Sequence, residues 1–86
     1  MEGKEEKYVW VVHYFDVAEV DIFGTPEAAI TAGQREVDAM IEYYKKKGWL
    51  DAADKILTEW TEETEQFGAE YSVEDVVWCE KQRVLY

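Results

Sequence analysis

The sequence predicts a small two-layer α+β domain, with a three- or four-stranded mixed or antiparallel sheet packed by an antiparallel two-helix hairpin. Three observations predict it. Residues 8–15, YVWVVHYF, form a run of β-branched and aromatic residues. Two amphipathic stretches of helical period then follow, separated by Gly48. From Glu70 onward the chain returns to strand character. The order is ββααβ, with room for an extra C-terminal strand.

The chain has 86 residues and is 48% apolar, enough for one core and not two. Residues 1–7 are expected to be a flexible lead-in and residues 8–86 a single domain. The lead-in lacks a basic region followed by a long apolar run, so no signal peptide is expected, and no stretch reaches the length of a bilayer span.

In the strand at residues 8–15, alternation puts Tyr8, Trp10, Val12 and Tyr14 on one face and Val9, Val11, His13 and Phe15 on the other. Both faces are largely apolar, which predicts a central strand covered on both sides. Residues 20–23 form a second, shorter strand. Thr25 is placed to cap the first helix, Pro26 suits its first position and Glu27 complements its dipole. Ile30, Gly33, Val37, Met40, Ile41 and Tyr44 form its apolar face. Lys45, Lys46 and Lys47 end it, where the plain reading is helix-dipole electrostatics, and Gly48 terminates it.

The second helical stretch, residues 49–70, is the most distinctive. It carries seven carboxylates against one lysine, in a chain of net charge −11. Leu50, Ala53, Leu57, Trp60 and Phe67 are expected to face the core, with Asp51, Asp54, Glu62 and Glu65 opposite and Glu59 and Glu63 on the flank. The first helix is nearly neutral, so the acidity is segregated. Clustering like charges at three- and four-residue spacing costs a few tenths of a kcal/mol per pair. Beyond the helices, residues 76–79 form a third strand, and residues 83–86 extend it or pair as a fourth after a turn at residues 80–82.

A chain this acidic is repelled by nucleic acid and by anionic membranes and is attracted to basic partners. One cysteine permits no internal disulfide and fits a reducing, cytoplasmic setting. Thirteen aromatics are many for this length, so some are expected at interfaces. His13 and Cys79 sit on strands that could be neighbours, the one arrangement from which a Cys–His enzyme could be built. No further His or Cys, calcium loop or phosphate loop accompanies them, so no enzyme, metal or cofactor is expected.

The expected function is therefore stoichiometric binding. Asp54, Glu59, Glu62, Glu63 and Glu65 supply charge for docking on a basic, nucleic-acid-binding surface of a partner protein, with Trp49 and Tyr71 as partly exposed anchors. The plainer alternative is a solvated acidic surface. A second functional reading places Trp10, Tyr14 and Trp78 on an uncovered sheet face that homodimerises or binds an apolar partner. In size, acidity and aromatic content the chain resembles small phage-encoded inhibitors that imitate DNA and act on restriction enzymes, uracil-DNA glycosylase or CRISPR nucleases. That resemblance lies in charge balance and implies an anti-defence role.

Overall fold

Antiparallel pairing organises the chain. The computed structural model describes residues 6–84, with elements β1 (Lys7–Tyr14), β2 (Val17–Phe23), α1 (Pro26–Lys46), α2 (Leu50–Phe67), β3 (Ser72–Val73) and β4 (Val77–Val84). The sheet has four strands in the order β2-β1-β4-β3, every pair antiparallel. The predicted α+β architecture is present, with β1 central. β2 begins earlier than expected, at Val17. The turn expected at residues 80–82 is absent, because β4 pairs with β1 without a break from Lys7↔Val84 to Tyr14↔Val77. The fourth strand is instead β3, which pairs with the start of β4. Leu85 and Tyr86 lie outside the described residues, as do residues 1–5.

Local signals set the helix ends as expected. Thr25 has extended backbone angles and its Oγ1 accepts the Ala28 amide at 3.2 Å, with Pro26 in the first turn. At the other end Gly48 takes φ 79°, a left-handed conformation open to glycine. Trp49 N–H then donates to Tyr44 O and Gly48 N–H to Lys45 O, at 2.9 and 3.0 Å. These are the two bonds of a Schellman ending. Its usual apolar contact is made by Trp49, whose ring meets that of Tyr44 edge-on at 5.5 Å.

The core lies between the helices and one face of the sheet. Val12, Val37, Tyr71, Val73, Val76 and Val77 are its largest fully buried members. Trp60 stacks edge-on against Tyr71 at 4.7 Å, and its Nε1 donates to Gln34 Oε1 at 2.8 Å. Tyr71 Oη donates to Ala29 O at 2.7 Å. Both rings pass under α1 at Gly33, where no side chain obstructs them.

Two expectations about the packing need correction. On α2 the buried residues are Ala53, Ile56 and Trp60, whereas Leu50, Leu57 and Phe67 are about half exposed. The reason is that α2 packs on α1 and the two-residue β3 at the sheet edge, so only a narrow arc of its surface is covered. On the sheet, Trp10 and Tyr14 do not share a face with Trp78. Cross-strand partners lie on the same side, and Trp10, Val12 and Tyr14 pair with Lys81, Cys79 and Val77 on the helix side. Trp78 pairs with His13 on the opposite, helix-free face, which also carries Val9, Val11, Val20 and Ile22.

Candidate functional site

The acidic surface of α2 divides into two sets of carboxylates with different tasks. Asp51, Asp54, Glu62 and Glu65 are exposed, and among the described residues no lysine or arginine pairs with Asp54, Glu62 or Glu65. Glu59 and Glu63 are half-buried on the flank that faces β3. Glu63 Oε1 accepts the Ser72 amide and Glu59 Oε2 accepts the Glu74 amide, each at 2.9 Å. These carboxylates bind the outer backbone of the edge strand and of the turn after it, a strand with no neighbour on that side among the described residues. The same bonds bring Glu74 and Asp75 of the β3–β4 turn beside α2. The acidic surface thus extends past the helix, a continuation that no helical periodicity could reveal.

This division predicts unequal effects on stability. Glu63→Ala or Glu59→Ala leaves an amide without its acceptor and is expected to cost about 0.5–1.5 kcal/mol. Glu62→Ala and Glu65→Ala remove repulsion and stay within about 0.5 kcal/mol of wild type. Urea denaturation of the four variants checks this, and equal costs would refute the division.

The expected anchors also separate. Trp49 is 51% exposed, but it packs on Tyr44 and meets Tyr43 edge-on at 6.3 Å, so its indole both closes the helix hairpin and offers a free face. Tyr71 is not an anchor: it is completely buried. The chain turns after Gly68 and brings Tyr71 beneath α1, where burial holds its phenol well above the ordinary range. Sequence reading missed this because Tyr71 lies in neither helix, and its partner Gly33 carries no side chain to signal contact.

His13 and Cys79 occupy neighbouring strands but opposite faces, so they cannot form a catalytic pair. His13 stacks flat on Trp78 at 5.1 Å, with Nε2 2.7 Å from Glu80 Oε2, on the helix-free face. Cys79 is in the core, and burial, aided by Glu70 and Glu80, pushes its thiol up to about 11. At pH 8 only about one thiol in a thousand would then be thiolate. Modification by an aromatic disulfide reagent at pH 8 is expected to run at least about 100-fold slower on the native protein than on the unfolded chain. A fast native reaction would contradict this placement.

Tyr8, Trp10 and Val9 with Glu6, Gly24 and Val84 border an open groove of about 510 Å³ at the sheet end. Lys81 Nζ lies over the Tyr8 ring at 4.3 Å, and Glu6 accepts from both Arg83 and Tyr8. These internal bonds already engage the groove's polar groups. Among the described residues no cluster of three or more His, Cys, Asp or Glu is arranged to hold a metal ion, and no helix is long and apolar enough to cross a membrane. Comparison with protein-family models, with curated proteins and with solved structures returned no match to this chain.

Proposed function

We propose that this protein is a stoichiometric inhibitor or regulator that docks the outer surface of α2 on the basic, nucleic-acid-binding surface of a partner protein. It acts by binding and not by catalysis. The observation that carries this reading is the set of exposed carboxylates Asp51, Asp54, Glu62 and Glu65 on one helix face, the last three without a lysine or arginine partner among the described residues. At 1.5 Å per residue they span about 21 Å, roughly six phosphate steps along one DNA strand. They ride on a helix fixed from behind by Ala53, Ile56 and Trp60, so little ordering is lost on binding. Glu74 and Asp75 add charge at one side, and Trp49 offers an aromatic face near the helix start.

The test uses a triple variant, Asp54→Lys, Glu62→Lys and Glu65→Lys, which leaves Glu59 and Glu63 on their backbone amides. Wild type and variant, matched by circular dichroism, are used for capture from a bacterial lysate at about 0.1 M salt, where screening extends over about 10 Å. The expected result is a captured protein whose nucleic-acid binding is displaced by wild type and at least tenfold less by the variant. Raising salt should release it. Equal displacement by both proteins, or capture indifferent to salt, refutes the reading.

A further inference from the structure

We infer that the helix-free face of the sheet is a homodimer interface, on which two copies pack face to face about a twofold axis with their α2 helices outermost. Strand register defines this face. Ile22 and Val20 of β2 lie beside Val11 and His13 of β1, and Val9, Val11 and His13 lie beside Gln82, Glu80 and Trp78 of β4. Val20 and Ile22 are 41% and 64% exposed. Val11 is buried yet takes no part in the core cluster. Among the described residues no helix covers this face, since α1 and α2 pack on the other side.

Charge selects a second copy as the occupant. In a chain of net charge −11, the strand residues of this face carry only Lys7 and Glu80 as formal charges, and these cancel. A strongly charged partner gains nothing here, whereas an identical face is equally neutral and equally apolar. Face-to-face sheets stand about 10 Å apart, and each α2 lies on the far side of its own sheet. The acidic helices of the two copies are therefore separated by more than the screening length of about 8 Å at physiological salt.

The available area sets the strength. Three strands about 4.8 Å apart, each of seven or eight residues rising about 3.3 Å, give roughly 360 Å² in projection per copy. The pair buries at least about 700 Å², short of the roughly 1,200 Å² of stable specific interfaces, so the dimer is a weak, transient one. This interface is independent of the acidic face proposed above, and the two respond oppositely to salt. Screening weakens docking on a basic partner and strengthens association of two like-charged chains.

Sedimentation from about 1 to about 300 µM protein tests the inference. Wild type is expected to shift from monomer to dimer mass across this range, and more completely when salt is raised. Ile22→Lys and Val20→Lys, both at exposed positions and matched to wild type by circular dichroism, are expected to raise the dissociation constant at least tenfold. A wild type that stays monomeric throughout overturns the inference. So does a dimer that both variants retain, or one that added salt dissolves.

Discussion

Gly33→Ala is expected to destabilise this protein by about 2–3 kcal/mol, although alanine is the better helix former by about 1 kcal/mol. A Cβ at position 33 would stand 2.5 Å from Tyr71 Cζ and Oη and 2.7 Å from Trp60 Cη2. Ordinary contact needs about 3.5–4.0 Å, so the rings or the helix must move by about 1 Å. Neither ring is free to yield. Tyr71 is bonded to Ala29 O in the same helix, and Trp60 is bonded to Gln34, itself held by Asp38 at 2.9 Å. The helix would have to lift from the sheet, opening the core around Val37 and Val12. For a domain of this size the loss corresponds to a fall in Tm of about 8–24 °C. Thermal and urea unfolding would measure it. A more stable alanine variant would show that helix propensity outweighs the contact and that the close approach is wrong.

Removing the other partner of that contact is expected to do more. Tyr71→Ala empties the largest fully buried side chain and should cost about 3–5 kcal/mol. Total stability for 86 residues is only about 4–13 kcal/mol, so the variant loses between about a quarter and all of it, and its Tm should fall by about 12–40 °C. Tyr71→Phe keeps the ring and loses only the bond to Ala29 O, at a cost of about 1 kcal/mol. The pair of variants also separates structure from binding. Tyr71→Phe should leave the displacement of nucleic acid by the protein unchanged, because the hydroxyl never reaches the surface. A binding defect in this variant without loss of folding would return Tyr71 to the list of anchors.

These residues show where sequence reasoning stops. The helix ends were legible because their signals are local. Thr25, Pro26 and Gly48 act on backbone groups one to four positions away, and Trp49 packs on the turn just before it. The acidity of α2 was legible for the same reason, as a property of composition and of a 3.6-residue period. Its division was not. Glu59 and Glu63 differ from Glu62 and Glu65 only because β3 pairs at one edge of the sheet and offers amides to one flank of the helix. Leu50 and Leu57 likewise fit a helical apolar face, but the narrow contact of α2 with α1 and β3 leaves them half exposed.

The α+β class, the order of the main elements, the helix caps and the concentration of charge on one helix are written in the chain locally. All of these follow from dihedral preference, side-chain period and charge, which act within a few residues. Tertiary pairing and packing set which side of the sheet holds Trp10, Tyr14 and Trp78, and turn His13 and Cys79 apart. They alone made Tyr71 a core residue packed against Gly33. Strand register and helix placement are global choices: a shift of one residue inverts both faces of a strand, and no local signal in β4 distinguishes one register from the next.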